Sequence, residues 1–331
     1  MDKLRKVGLS ALAGSLAMFS ANAGEVAVTG SGEFTYTNAG GTSDNTGNPF
    51  GLSHTLSFTG SGEMDNGWSY SVFSGMAGQD MTVDSNSLTI TMGDMGTFYL
   101  DQGVGKAGIN TLKNEVPTAY EEAGHGVSGS GNSLNAAGNQ GALGFDTASY
   151  GGLKLSLAWH PTVSATNQQA GGVSGAGNSS NVNYALTYAP SMIDGLTLAY
   201  GSSKTDDMST ASANDDTEMT MAVNYVNGAL SVGYQVSESQ TGGNGENGNN
   251  VEEFGIAFAV NENLSVSYNS MDNEDDATAG GTNITESSTG ISAAYTMGST
   301  SFRLAANEAD NVNGESGDTD ENLELSVSLT F

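Results

Sequence analysis

Alternation of apolar and polar residues recurs along most of the chain and restricts its fold more than any other feature. It is clearest in the last nine residues, LELSVSLTF, where Leu323, Leu325, Val327, Leu329 and Phe331 alternate with Glu324, Ser326, Ser328 and Thr330. Side chains of a β-strand point to opposite faces with period two, so this segment has one apolar and one polar face. The same pattern is found at 153–159, 219–225 and 230–236. These segments are predicted to be strands.

The connections between the predicted strands are of two kinds, which take turns along the chain. Short connections contain Gly, Asn or Asp and suit tight turns. They lie at 65–67, 93–96, 151–152, 190–195, 226–228, 261–263 and 297–300. Long, polar connections lie at 38–50, 77–86, 101–141, 161–181, 203–217, 238–250, 271–285 and 307–319. Seven short and eight long connections separate sixteen strands.

This order predicts an all-β fold, a transmembrane antiparallel β-barrel of sixteen strands with short periplasmic turns and long extracellular loops. A bilayer offers no partner to backbone N–H and C=O groups, so a sheet inside it must close on itself. Apolar residues then face lipid and polar residues face a lumen. Such an arrangement explains how a chain with 37% apolar residues and no Cys can fold.

The first 23 residues are predicted to be a secretory signal peptide. Lys3, Arg5 and Lys6 precede an apolar stretch at 7–19, and small residues follow at 21–23 with the spacing typical of a cleavage site. No later stretch approaches the roughly 18 apolar residues that a spanning helix needs. Residues 24–331 are therefore expected to form a single barrel in an exported protein.

Net charge restricts the partners of the chain. The sequence contains 37 acidic and 8 basic residues, and without residues 1–23 it keeps 36 acidic and five basic ones, a net charge of −31. Phosphate contacts depend on Lys and Arg, so this composition argues against any nucleic-acid partner.

Motifs of catalysis are missing from the sequence. Its three histidines lie outside any H-E-x-x-H pattern, and no G-x-S-x-G motif occurs. Neither an enzyme nor a bound cofactor is expected.

With these features together, the sequence resembles the Gram-negative general diffusion porins, of the sixteen-stranded type common in alphaproteobacteria. The resemblance rests on the signal peptide, the order of turns and loops, the stretch GDMGTFYLDQG at 93–103, and the aromatic carboxy-terminus. It implies an outer-membrane homotrimer in contact with lipid and lipopolysaccharide, which passes small hydrophilic solutes and cations. Phe331 ends the strand that would close the barrel, and it resembles the aromatic signal that the barrel-insertion machinery of this family recognises.

The resemblance also implies that the longest loop, 101–141, folds into the lumen and narrows the pore. Carried over by position, its acidic residues Asp101, Glu115, Glu121 and Glu122 would lie at the constriction. Alternatively, Glu121 and Glu122 lie on a solvated loop surface.

Several charged residues alternate with apolar ones in their strands and are therefore predicted to point inward, on the polar face. They are Arg303, Lys154, Glu33, Asp146, Glu253 and Glu324. Porins of this family often carry a ladder of wall arginines, whereas this chain has one Arg after residue 23. Carboxylates would then dominate the lumen, so a cation-selective pore is expected. Small inward residues, and the geometry of sixteen strands, favour an open aqueous channel.

Two other functions stay open. A substrate-specific channel would need an aromatic slide in the lumen, for which Phe73, Tyr99 and Tyr150 are the candidates. A structural or adhesive barrel with a closed lumen would need bulky interior side chains.

One acidic cluster is a weak candidate for a metal site. Asp272, Glu274, Asp275 and Asp276 offer the hard oxygen ligands that Ca²⁺ and Mg²⁺ prefer. A hydrated outer loop with loosely held divalent ions explains the cluster as well, and no other metal is expected.

Overall fold

The computed structural model confirms the closed antiparallel barrel of sixteen strands. Each strand pairs with its neighbours in sequence, and β1 pairs with β16. The structure describes residues 24–41, 47–78, 80–127, 134, 141–161, 179–207, 215–240, 248–275 and 283–331. The predicted signal peptide, residues 1–23, lies outside the described residues.

The strands have the following bounds. They are β1 (Val26–Gly41), β2 (Phe50–Glu63), β3 (Ser69–Ala77), β4 (Thr82–Thr91), β5 (Thr97–Gln102), β6 (Ala142–Asp146), β7 (Leu153–His160), β8 (Ser179–Tyr188), β9 (Leu196–Asp207), β10 (Asp216–Asn227), β11 (Leu230–Gln240), β12 (Gly248–Ala259), β13 (Leu264–Asp275), β14 (Ile284–Met297), β15 (Thr300–Asp310) and β16 (Thr319–Thr330). Short 3-10 helices occupy Gly93–Met95, Gly108–Leu112 and Val312–Gly314. Among the described residues, no helix is long and apolar enough to cross a membrane.

The long connections are shorter than the sequence predicts. The sequence predicts a loop at 77–86, yet β3 extends to Ala77 and β4 begins at Thr82, with positive φ at Gly78 and Met81 between them. Similarly, β13 continues to Asp275, although its polar end was expected to be loop. Ladder hydrogen bonds to neighbouring strands extend these ends where the residues are too polar to show an apolar face.

The two faces of the barrel differ as the alternation predicts. On β16, Asn322, Glu324 and Ser326 are buried on the inner face, whereas Leu325 and Leu329 are 44% and 52% exposed on the outer face. Polar residues therefore lie inside and apolar residues outside, the reverse of a soluble protein. This outer surface suits lipid contact.

The last residue completes the seam between the first and last strands. The Phe331 N–H donates to the Gly30 carbonyl, and the Gly30 N–H donates to the Phe331 carbonyl, both at 3.0 Å. The Phe331 ring covers Gly30, where an added Cβ would lie 2.5 Å from the ring edge. Glycine at position 30 therefore leaves room for the terminal aromatic ring.

Deletion of Phe331 is expected to lower the free energy of unfolding by about 1–3 kcal/mol, because two backbone hydrogen bonds of the seam are lost. Phe331→Ala keeps those bonds and is expected to cost less. Guanidinium unfolding from lipid vesicles after refolding without any cellular factor measures both variants, and separates seam closure from recognition by insertion machinery. Equal stability of the deletion variant and the wild type would contradict a role in closure.

Candidate functional site

The connection between β5 and β6, residues 103–141, is called loop three, and its described stretch 103–127 lies inside the barrel. Its described residues contact the wall in strand order. The Gly108 N–H donates to Ser156 Oγ on β7 at 2.7 Å, and the Ile109 N–H donates to Asn183 Oδ1 on β8 at 2.9 Å. The Glu115 N–H donates to Gln235 Oε1 on β11 at 2.9 Å. Loop three therefore follows the inner wall.

The same pattern continues to the far side of the barrel. The Ala119 N–H donates to Ser267 Oγ on β13 at 2.9 Å, and the Tyr120 N–H donates to Ser292 Oγ on β14 at 3.0 Å. Asn307 on β15 donates from Nδ2 to the carbonyls of Glu122 and His125, at 2.9 and 2.8 Å. Wall side chains thus replace the ladder partners that this irregular segment lacks.

Inward glycines make space for the loop. They lie on β6, β9, β11, β12 and β14, and an added Cβ at each would lie within 3.1 Å of an atom of loop three. At Gly233 and Gly290 it would lie closer still to the wall side chains of Asn224 and Asn307. The distances are 2.3 Å from Gly144 to Ala107 Cβ, 2.7 Å from Gly201 to Ile109 Cγ1, 2.5 Å from Gly233 to Pro117 Cδ, 2.7 Å from Gly255 to the Pro117 carbonyl oxygen and 3.1 Å from Gly290 to Ala123 Cα. We call this set the glycine track. Gly233 and Gly255 are direct cross-strand partners, so the track is widest beneath Pro117.

Small apolar wall residues receive the apolar side chains of the loop. Leu112 packs on Ala185, Ala199 and Ala222, three alanines of β8, β9 and β10. Ile109, which is fully buried, packs against Leu134. The small inward residues that suggested open water in the sequence therefore serve in part as the seat of loop three.

Asp101 lies at the base of the loop and is 2% exposed. Its two carboxylate oxygens accept hydrogen bonds from the backbone N–H groups of Val104 and Lys106, at 2.8 and 2.5 Å. The Lys106 ammonium donates to Ser87 Oγ at 2.9 Å and lies 5.5 Å from the centre of the Phe73 ring. Asp101 thus holds the first turn of the loop in place, and the sequence offered no signal for this contact.

Glu115 and Glu122 are partly buried carboxylates of loop three. Asn224 donates to Glu115 Oε2 at 3.4 Å, and burial raises the pKa of Glu115 above its usual range. Burial, and then the charge of Glu121, raise the pKa of Glu122. Among the described residues, neither carboxylate forms an ion pair within 4.0 Å.

Glu121 lies beside His125, with its carboxylate 3.3 Å from His125 Nδ1. The other ring nitrogen, Nε2, is 3.2 Å from Glu324 Oε2 on β16. The hydrogen bond to Glu324 is the main reason that the pKa of His125 is raised, which favours the imidazolium form. His125 was not among the predicted site residues, although its spacing of four from Glu121 is visible in the sequence.

Arg303 lies on the inner face of β15, beneath the loop. Its guanidinium pairs with Glu33 of β1, donates to Ser326 Oγ at 2.9 Å and stacks 4.4 Å from the centre of the Tyr120 ring. The Tyr120 hydroxyl donates to Glu324 Oε1 at 2.5 Å and lies 3.1 Å from Glu33 Oε1. Burial and the bond to Glu324 raise the pKa of Tyr120. Three of the predicted wall residues thus meet around a tyrosine that the sequence did not single out.

The remaining predicted wall residues lie apart from this network. Lys154 pairs with Asp146 at 2.6 Å, and Asp146 also accepts hydrogen bonds from Ser156 and Tyr99. Glu253 on β12 is 5% exposed and interacts electrostatically with Glu122.

The predicted metal cluster is described only in part. Asp272 and Glu274 lie on the exposed face of β13, and Asn283 donates to Glu274 at 3.1 Å. The side chain of Asp275 and the whole of Asp276 lie outside the described residues.

A closed sixteen-stranded barrel with an apolar outer surface and a loop folded into a polar lumen defines an outer-membrane pore-forming protein. The chain belongs to the Gram-negative porin family, because the model of that family matches residues 8–328. The predicted family and the outer-membrane localisation are confirmed. Comparison with curated protein sequences finds no match.

Solved porin structures share this fold at low sequence identity. The anion-selective porin from Comamonas acidovorans is 12% identical with a TM-score of 0.64, over 93% of this chain and 99% of that one. OmpT, an outer-membrane protein of Vibrio cholerae, is 11% identical with a TM-score of 0.66, over 95% and 99%. OmpF of Salmonella typhi, in complex with daunomycin, is 10% identical with a TM-score of 0.67, over 93% and 98%.

The glycine track generates a test of how loop three is seated. The Cβ added by Gly255→Ala would lie 2.7 Å from both Asn269 Nδ2 and the Pro117 carbonyl oxygen, which are hydrogen-bonded to each other. The variant is expected to push this pair toward the lumen, which lowers the single-channel conductance and costs about 1–3 kcal/mol of stability, the usual cost of overpacking. Planar-bilayer recording and guanidinium unfolding measure the two effects. Gly32→Ala is the matched control within one chain, since an added Cβ there meets no atom of the chain within 4 Å, and the conductance is compared per pore so that any effect on assembly is separate. If Gly255→Ala behaved like Gly32→Ala, the track would not position the loop.

Proposed function

We propose that this porin is a passive, cation-selective diffusion channel for ions and small hydrophilic solutes. The observation that carries the proposal is the unequal pairing of lumen charges. Arg303 and Lys154 each pair with a wall carboxylate, whereas Glu115 and Glu122 of loop three form no ion pair among the described residues. Loop three also carries Lys106 and Lys113, but it brings three acidic residues, Glu115, Glu121 and Glu122, and Asp101 lies at its base. The excess charge of this segment is therefore negative, which concentrates cations and repels anions.

The anion-selective relative does not contradict this proposal. Selectivity follows from the charges that line a pore and not from the fold that carries them. Here the mature chain would hold five basic residues against 36 acidic ones. Two of the five, Arg303 and Lys154, already pair with wall carboxylates.

Loop three is the part of the chain that would narrow this channel. Residues 108–125 occupy lumen space along the wall. Their N–H groups donate to wall side chains, and Asn307 donates back to the loop. The acidic residues Glu115, Glu121 and Glu122 come into the lumen with the loop, whereas Asp101 is buried at its base.

A substrate-specific channel is less well supported. Tyr99 bonds to Asp146, the Phe73 ring lies beneath Lys106, and Tyr150 is 65% exposed at a turn, where its hydroxyl donates to the Asp94 carbonyl. Among the described residues, no ring contact joins these three aromatics. Their positions favour general diffusion over a slide for one solute, and family and fold are those of a channel and not of an enzyme.

A homotrimer is the proposed assembly. The outer face of β1 and β2 carries Gly32 and Gly60, where an added Cβ would meet nothing within 4 Å. Small residues on a membrane-facing surface suit close contact with a protein neighbour. Conductance steps that occur in threes are the expected sign of this assembly.

Selectivity is tested by the reversal potential across a planar bilayer under a KCl gradient. Wild-type protein is expected to show a reversal potential close to the potassium limit. The double variant Glu115→Gln, Glu122→Gln makes the electrostatic potential in the lumen less negative. The cation-to-anion permeability ratio should fall about sevenfold for each kT by which the electrostatic energy of a monovalent cation in the lumen rises. Glu308→Gln, on the exposed outer face of β15, is the matched control and should leave the ratio unchanged. A wild-type pore that prefers chloride would overturn the proposal.

Divalent ions are proposed to sit loosely on the outer face, where they would link the barrel to lipopolysaccharide. Two like-charged cross-strand pairs lie there, Glu252 opposite Asp272 and Glu308 opposite Glu321. Like charges placed directly opposite one another destabilise a sheet, and Ca²⁺ or Mg²⁺ would relieve this repulsion. Calcium is expected to raise the thermal stability of the wild type more than that of Glu252→Gln. Equal shifts for both proteins would contradict this role.

A further inference from the structure

Glu121, His125 and Glu324 form a group of potential metal ligands inside the lumen. Each offers one donor atom, and these atoms all lie within 4.8 Å of one another. Two of the residues come from loop three and one from the wall strand β16. We propose that this group binds a divalent transition cation of the zinc class and so ties loop three to the wall.

The donor set matches the chemistry of such an ion. One imidazole and two carboxylates are ligands that Zn²⁺ accepts, whereas Ca²⁺ and Mg²⁺ prefer oxygen ligands alone. Zinc bonds of about 2.0–2.2 Å in a tetrahedral site place neighbouring donor atoms roughly 3.3 Å apart. Glu121 Oε2 and Glu324 Oε2 lie 3.3 and 3.2 Å from the two ring nitrogens of His125. A zinc ion would bind only one of these nitrogens, so the carboxylate beside the other nitrogen would have to move toward the ion, within a group whose donor atoms lie at most 4.8 Å apart.

The surroundings hold the donors in place. The Tyr120 hydroxyl donates to Glu324 Oε1 and leaves Oε2 directed at His125. The His125 carbonyl accepts a hydrogen bond from Asn307, and the Glu121 carbonyl accepts one from Thr118 at 3.0 Å. The two carbonyl bonds fix the backbone that carries the loop ligands, whereas the Tyr120 bond orients a ligating carboxylate, as outer-shell hydrogen bonds do in metal sites. These contacts exist before any ion arrives.

The group is also open to the lumen. The side chains of Glu121 and His125 are 30% and 38% exposed, so an ion and the water that would complete its coordination can reach them. On binding, the ion takes the place of the proton shared between a ring nitrogen and a carboxylate, and that proton is released to solvent. Loop three and β16 would then share a metal ion in place of a hydrogen bond.

Calorimetric titration of the folded, detergent-solubilised protein with ZnCl₂ tests the proposal without requiring that the chain conduct ions. The wild type is expected to bind one zinc ion per chain, and His125→Ala is expected to bind it at least about tenfold more weakly. His54→Ala is the matched control, because His54 lies on the outer face of β2. The zinc affinity of this variant should equal that of the wild type. Glu121→Gln serves as a second variant, since its partly exposed side chain can lose charge without loss of volume.

X-ray absorption of the zinc-loaded wild type provides the structural readout. One imidazole and oxygen ligands in the coordination shell would support the site. Equal zinc affinity in the wild type and both loop variants, a shell without imidazole, or no binding at submillimolar zinc would each overturn it. A site that calcium occupies as tightly as zinc would also overturn the assignment to the zinc class.

Discussion

The demand for backbone hydrogen bonds in a medium without water is the constraint on which this structure depends. Lipid cannot bond to N–H and C=O groups, so all sixteen strands must pair on both sides. The seam is therefore as important as any ladder, and the chain extends it to its last residue, where Phe331 pairs with Gly30. Once the sheet is closed, the apolar face can meet lipid and the polar face can line water.

Loop three obeys the same constraint by other means. Its described backbone is irregular and lies inside the barrel, so ladder partners are replaced by Ser156, Asn183, Gln235, Ser267 and Ser292 of the wall. The glycine track supplies the space that these short contacts need. Polar wall residues that the alternation assigned to solvent thus have a second use, because they hold the segment proposed to narrow the pore.

Charge in the lumen is arranged around very few basic groups. Arg303 is shared between Glu33, Ser326 and the ring of Tyr120, and Lys154 is held by Asp146. Wall carboxylates neutralised by these residues contribute little to the electrostatic field, so the proposed cation selectivity depends mainly on the loop carboxylates. On loop three, His125 lies between the carboxylates of Glu121 and Glu324, and it thereby joins the loop to the wall.

Period-two alternation and the order of turns are local signals that are repeated many times along the chain. From them the sequence by itself determined the number of strands, the two faces of the barrel and the class of protein. It also determined that Arg303 and Glu324 face inward. Strand ends escaped these signals, because polar residues at the rims pair without showing an apolar face. Only the tertiary structure decided where loop three lies, that Asp101 holds its base, and that Tyr120 and His125 reach Glu324, some 200 residues away in sequence. Such contacts depend on which wall positions the strand registers bring beneath the loop, and no local pattern encodes that distance.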